Sequence, residues 1–131
     1  RINERFAYIE YSPISKYSTI WLHAVSLGEA IAAEPLVKSL LTKYPSAQIV
    51  FTTMTPTGSA RVKQVFQNQV FHVYAPYDIP SVVKRFLNIT QPKIAIFMET
   101  EIWPNIYYYC QQRKIPLIIA NARLSEKSAK G

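Results

Sequence analysis

Five short apolar runs, each bounded by turn residues and separated by stretches of helical spacing, set the limits on how this chain can fold. They are Thr19 to Val25, Gln48 to Thr53, Val70 to Tyr74, Lys93 to Met98 and Ile115 to Ala120. Short, bounded and rich in β-branched residues, they read as strands. Between the first two, Glu29 to Lys43 carries Ala33, Leu36, Val37, Leu40 and Leu41 at intervals of three and four, the period of an amphipathic helix. Val62, Val65 and Phe66 make a second stripe, and Val82, Val83, Phe86 and Leu87 a third. Trp103-Pro104 opens a further helix to about Arg113. Pro35 predicts either a kink in the first long helix or a regular start near Glu34-Pro35. Alternation of this kind predicts an α/β domain with a doubly wound, mainly parallel, five-stranded Rossmann-like sheet. Right-handed crossovers, reversing direction after the third strand, give the order 3-2-1-4-5.

The chain has 131 residues, 49% of them hydrophobic, which suits one domain with a real core. No apolar run reaches the ~18 residues that a membrane span needs, and no signal-peptide pattern follows Arg1-Ile2-Asn3-Glu4-Arg5. The chain lacks an initiator Met and stops in Ser128-Ala129-Lys130-Gly131, so a piece of a longer protein is expected. Fifteen Lys and Arg against eight Asp and Glu leave a net charge of +7. That excess suits an anionic partner or surface: nucleic acid, phospholipid headgroups or a phosphorylated substrate. A solvated basic face is the plainer reading. Lys84-Arg85 and Arg113-Lys114 are candidates for a basic patch. One cysteine, Cys110, excludes a disulfide framework and reads as a buried structural thiol. There is no GxxxxGK[ST], no GxGxxG after a strand, no GxSxG and no His/Cys cluster with metal-ligand spacing.

Polar residues gather where the strands end. The first run is followed by Ser26, Gly28 and Glu29, and the second ends in Thr53 before Thr55 and Thr57. Tyr77 and Asp78 follow the third, Glu99, Thr100 and Glu101 the fourth, and Asn121 and Arg123 the fifth. In a parallel sheet all of these meet at one edge, and ligands collect at the switch point between strands one and four. A site between Glu29 and Glu99 or Glu101 is therefore expected. Glu99 and Glu101 alternate in direction if the strand continues, so one of them faces the cleft; the other caps the Trp103-Pro104 helix or pairs with Arg123. Asp78 reads as the N-cap of the helix that Pro80 opens. His23 and His72 lie inside strands and read as hydrogen-bonded core or edge histidines. Thr55-Pro56-Thr57-Gly58 could hold a phosphate at a helix N-terminus, though hydroxyls in turns are common. Tyr107-Tyr108-Tyr109 cannot all share one helix face, so at least one is exposed.

Five motifs carry a resemblance to a known family: His23-Ala24-Val25-Ser26-Leu27-Gly28-Glu29, Thr52-Thr53-Met54-Thr55-Pro56-Thr57-Gly58-Ser59, Tyr77-Asp78-Ile79-Pro80, Met98-Glu99-Thr100-Glu101-Ile102-Trp103-Pro104-Asn105 and Ala120-Asn121-Ala122-Arg123-Leu124-Ser125. In this order they resemble the 3-deoxy-D-manno-octulosonic acid (Kdo) transferases of lipopolysaccharide assembly in Gram-negative bacteria. One departure is Leu27, where the family often has Val. The resemblance implies a GT-B glycosyltransferase, with residues 1–131 as a single N-terminal, acceptor-binding domain. A C-terminal domain holding most of the CMP-Kdo site and an N-terminal membrane anchor would lie outside this chain. It implies inverting transfer of Kdo from CMP-Kdo to the 6′-hydroxyl of a lipid A precursor, at the cytoplasmic face of the inner membrane. No cofactor or metal is implied at the transfer step, and no nucleic acid partner. The isolated fragment should be inactive. Glu29 matches the catalytic base, and Glu99 and Glu101 match the acidic motif needed for activity. Ser26, Gly28, Thr53, Thr55, Thr57, Asn121 and Arg123 are the substrate-binding candidates. The alternatives are a non-enzymatic basic α/β module for RNA or phospholipid, and another glycosyltransferase of the same fold.

Overall fold

The computed structural model describes residues 2–16, 18–98 and 103–120. A one-turn helix α1 (Ile2–Arg5) precedes a loop and then β1 (Thr19–His23), α2 (Leu27–Lys43), β2 (Gln48–Thr53), α3 (Pro56–Phe66), β3 (Phe71–Tyr74), α4 (Pro80–Thr90), β4 (Pro92–Phe97), α5 (Pro104–Gln112) and β5 (Leu117–Ile119). The sheet has the order β3-β2-β1-β4-β5, and each neighbouring pair is parallel. The expected order and fold class hold. β1 stops two residues before the end of its apolar run, β3 starts one residue late, and β5 keeps only the middle of its run, while β4 has the expected length but lies one residue earlier, at Pro92–Phe97.

Alternation along the strands splits the core into two layers. Ile20, Leu22, Ile49, Phe51 and Ile96 pack with Ala30, Ala33 and Val37 of α2 and Val62 and Phe66 of α3. Trp21, Val50, Val73, Ala95 and Phe97 pack with Val82, Val83, Phe86 and Leu87 of α4 and Ile106 and Cys110 of α5. α2 and α3 thus cover one face and α4 and α5 the other. The chain leaves β1 toward β3 on one side and returns to β4 on the other, so the crevice opens where β1 and β4 end. Burial pushes the Cys110 thiol up to about 11, as befits a structural position.

Two expectations need correction. α2 begins at Leu27 and continues through Pro35, so no regular start lies at Glu34-Pro35. Pro35 removes the donor for the Ile31 carbonyl, but both residues are exposed on the solvent side, where water can serve that carbonyl. Asp78 does not cap α4, whose N-cap is Ile79 with no side-chain cap bond. Its carboxylate instead accepts the backbone N–H groups of Asn105 at 3.0 Å and Ile106 at 2.8 Å. The Asn105 side chain donates back to the Asp78 carbonyl at 2.9 Å. Asp78 therefore caps α5 across space.

Candidate functional site

Two helix starts stand side by side at the carboxyl edge. β1 ends at His23, and the loop that follows delivers Ser26 as the N-cap of α2. Ser26 makes no side-chain cap bond to the helix. Glu29, in the first turn, reaches back instead: its Oε2 accepts the Val25 N–H at 2.9 Å and its Oε1 the Ser26 hydroxyl at 3.5 Å. The spacing is that of a Ser-x-x-Glu capping box, but only the backward reach of the Glu is made, and it serves the N–H before the N-cap rather than the N-cap's own. Glu29 is half-buried and forms no ion pair among the described residues.

α3 starts beside it. Thr55 is the N-cap and accepts the Gly58 N–H at 3.1 Å. Its hydroxyl lies 3.4 Å from that of the exposed Thr57. Met54 N–H donates to the Val25 carbonyl at 3.0 Å, which ties the loop after β2 to the loop after β1. Gly58 allows the approach: a Cβ there would stand 3.1 Å from Thr55 Oγ1, 3.3 Å from the Ser26 carbonyl carbon and 3.5 Å from Leu27 N. Gly28 is different, since a Cβ on it would meet nothing within 4 Å and would stand in solvent.

The structure thus brings together Ser26, Gly28, Glu29, Thr55 and Thr57. It sets Thr53 apart: this residue is fully buried, and its hydroxyl bonds His72 Nε2 at 2.9 Å. Glu99, Glu101, Asn121 and Arg123 lie outside the described residues. Met98 N–H still bonds the His23 carbonyl at 2.8 Å, so β4 delivers the chain to the crevice beside β1 immediately before Glu99.

Beneath this edge lies a buried polar knot. Thr52 Oγ1 accepts Trp21 Nε1–H at 2.9 Å and sits 2.8 Å from His23 Nδ1. Burial holds the His23 imidazole far below its usual range, at about 3; Thr52 works against this and the Arg5 charge adds to it. His23 is therefore neutral at pH 7. With Met54, Ala75, Pro76 and Trp103 it lines a cavity of about 10 Å³, room for one water.

A larger groove of about 470 Å³ opens on the same edge, lined by Ile2, Arg5, Met54, Pro56, Tyr74 and Tyr77. Glu29 is on the wall of neither hollow. Arg5 was missed in the sequence because its neighbours come from β3 and the loop after it. The basic pairs picked out instead are occupied or remote. Arg85 donates to the Phe6 carbonyl at 2.6 Å and lies over the Tyr8 ring. Lys84 lies over the Tyr109 ring, and Arg113 bonds Asn88 at 2.7 Å at the amino edge. Tyr107 and Tyr108 are exposed. No helix among the described residues is long and apolar enough to cross a membrane.

The comparisons with known proteins agree with this architecture. A family model described as 3-deoxy-D-manno-octulosonic-acid transferase (kdotransferase) matches residues 1–131. A 3-deoxy-D-manno-octulosonic acid transferase of Haemophilus influenzae is 50% identical over 129 residues, 98% of this chain and 30% of the relative. The enzyme of that name from Bordetella pertussis is 34% identical over 122 residues, 89% of this chain and 28% of the relative. A probable mitochondrial 3-deoxy-D-manno-octulosonic acid transferase of Arabidopsis thaliana is 40% identical over 113 residues, 86% and 25% respectively. The chain thus spans less than a third of the length of these relatives. No solved structure matches it significantly. With its whole length matched by the family model and half its residues shared with the Haemophilus enzyme, the chain belongs to the 3-deoxy-D-manno-octulosonic acid (Kdo) transferase family, as its N-terminal domain.

Proposed function

We propose that this chain is the acceptor-binding half of an inverting Kdo transferase that moves Kdo from CMP-Kdo to the 6′-hydroxyl of a lipid A precursor. A C-terminal domain beyond this chain would supply most of the donor site, and the work would be done at the cytoplasmic face of the inner membrane. On this reading residues 1–131 alone do not catalyse transfer. The single observation that carries the reading is Glu29. Its carboxylate sits at the carboxyl edge beside β1, oriented by the Val25 N–H at 2.9 Å and left without a cation among the described residues.

A sugar hydroxyl attacking an anomeric carbon must lose its proton as the bond forms, and a fixed carboxylate within reach can take it. The hydrogen bond from Val25 fixes the orientation that such a transfer requires, while an ion pair would have occupied the same lone pairs. Ser26, Thr55 and Thr57 put hydroxyls at the same edge for an acceptor's sugar oxygens, and the bare Gly28 backbone lets a ligand come close. Glu99 and Glu101, which follow β4 in sequence, are proposed as the second acidic element, and Asn121 and Arg123, which follow β5, as further substrate-binding residues.

The test is Glu29→Gln in the full-length enzyme. Transfer should fall by roughly a hundredfold to ten-thousandfold, the usual loss of a general base, while the melting temperature stays within a few degrees of wild type. Near-normal turnover would remove Glu29 from the role.

A further inference from the structure

The start of α2, which carries Glu29, is held against α3 at two heights. At the carboxyl edge Gly58 lets the two helices meet: a Cβ there would stand 3.3 Å from the Ser26 carbonyl carbon and 3.5 Å from Leu27 N. Further along both helices the Arg61 guanidinium forks onto the Glu34 carboxylate, Nε donating to Oε1 at 2.6 Å and Nη2 to Oε2 at 3.2 Å. Glu34 lies roughly 7 Å beyond Glu29 along the axis, at the rise of an α-helix. The Arg61 hydrogen bonds hold the Glu34 carboxyl below its usual range, so the pair is charged on both sides at neutral pH. Two parallel prongs fix orientation as well as distance, which a single ammonium contact does not.

With the upper contact alone, α2 could turn about it. Between the two contacts α2 packs inward through Ala30 and Ala33, whose methyl groups do little to key its rotation. Rotation matters at Glu29, because its bond to the Val25 N–H at 2.9 Å runs from the helix to the loop after β1. That loop is pinned separately, by the Met54 N–H on the Val25 carbonyl at 3.0 Å. A small turn of α2 against a fixed loop therefore lengthens the Glu29 bond and swings the carboxylate. We infer that Glu34 and Arg61 are a positioning pair for the reaction: their fork sets the rotation of α2 on α3 and so aims the Glu29 carboxylate. The inference deepens the reading of Glu29 as general base and rests on it. Arg61 acts through Glu29 and not on a substrate, so its loss falls on kcat rather than on KM.

The experiment measures transfer kinetics and amide hydrogen exchange on the full-length enzyme, well below its melting temperature. Arg61→Met keeps the aliphatic stem and removes the fork. It should lower kcat by about tenfold or more, the scale of a misaimed catalytic group, and leave KM for the acceptor within about twofold. Arg61→Lys, with one prong, should recover part of the loss. The Val25 amide should exchange several-fold faster in Arg61→Met, because its carboxylate acceptor has moved, while the amides inside β1 keep their protection. Glu34→Gln should show both changes in smaller degree, and it carries the test if Arg61→Met does not fold. Combined with Glu29→Gln, Arg61→Met should cost no further activity, as expected of two residues acting through one group. Wild-type kcat in Arg61→Met, a loss carried by KM, or a loss just as large in Arg61→Lys would overturn the inference. Failure of the base assignment looks different: Glu29→Gln would then turn over normally while Val25 exchange still rose in Arg61→Met. An inactive Glu29→Gln beside unchanged Val25 exchange in Arg61→Met would instead defeat the positioning pair and leave the base standing.

Discussion

The carboxylate of Asp78 closes the first turn of a helix that starts more than twenty residues further along the chain, accepting the Ile106 N–H at 2.8 Å. A second N–H, from Asn105, reaches the other oxygen at 3.0 Å. Asp78→Ala would leave two first-turn donors of α5 unserved and should destabilise the chain by about 1–2 kcal/mol, the scale of a lost N-cap. Asp78→Asn keeps one acceptor oxygen and should lose less. Urea denaturation of the 131-residue chain measures both. Glu99 and Glu101 lead directly into α5 in sequence, so Asp78→Ala in the full-length enzyme should also lower kcat beyond the loss of folded protein.

Gly28 and Gly58 should respond in opposite ways to the same change. Gly28→Ala adds a Cβ that meets nothing within 4 Å in a helical turn. It should stabilise the chain by about 0.5–1 kcal/mol, chiefly by restricting the unfolded state. If an acceptor approaches the backbone there, KM for the acceptor rises in the same variant. Gly58→Ala drives a Cβ to 3.3 Å from the Ser26 carbonyl carbon, so the start of α2 must give way. That variant should lose stability, and it should lose activity too, since Glu29 rides on the displaced turn. Melting temperatures and acceptor saturation curves for the two variants, taken together, check both statements.

His23 makes stability depend on pH with a known sign. Burial, aided by the Arg5 charge, holds its folded-state value at about 3, against an ordinary imidazole near 6.5. Between these values the unfolded chain binds a proton that the folded chain refuses, so stability falls as pH is lowered through that window. The contribution of this one group approaches ~1.4 kcal/mol per pH unit. His23→Gln keeps a polar partner for Thr52 and removes the titration. Its stability profile between pH 6 and pH 4 should therefore be flatter than wild type, as read from denaturation midpoints across about that range.

Much of this was legible from the sequence because the sheet is buried on both faces. Runs such as Ile94-Ala95-Ile96-Phe97 must be apolar throughout, and helices must alternate with them to cover both sides. The edge at which Ser26, Glu29, Thr55 and Thr57 meet follows from that topology. Local pattern was a poorer guide to who serves whom. Asp78 stands directly before a Pro-opened helix, which suggests that helix as its charge; the distant one it serves is visible only in three dimensions. Arg5 could not be picked out at all, because Glu4 in the same turn meets Tyr74 seventy positions away. The reach of Glu29 back to Val25 did have a local signal, the Ser26-Leu27-Gly28-Glu29 spacing of a capping box.

That backbone bond gives Glu29 a structural duty as well as the proposed chemical one, so losing activity in a variant is a weaker test than seeing the acceptor in place. The most direct measurement is the distance from the Glu29 carboxylate to the acceptor's attacking hydroxyl in an acceptor-bound structure of the full-length enzyme. The account predicts an oxygen-to-oxygen separation of about 2.6–3.2 Å, direct hydrogen-bond reach for a general base. A hydroxyl beyond even water-bridged reach of Glu29, in contact with a different carboxylate, would contradict it.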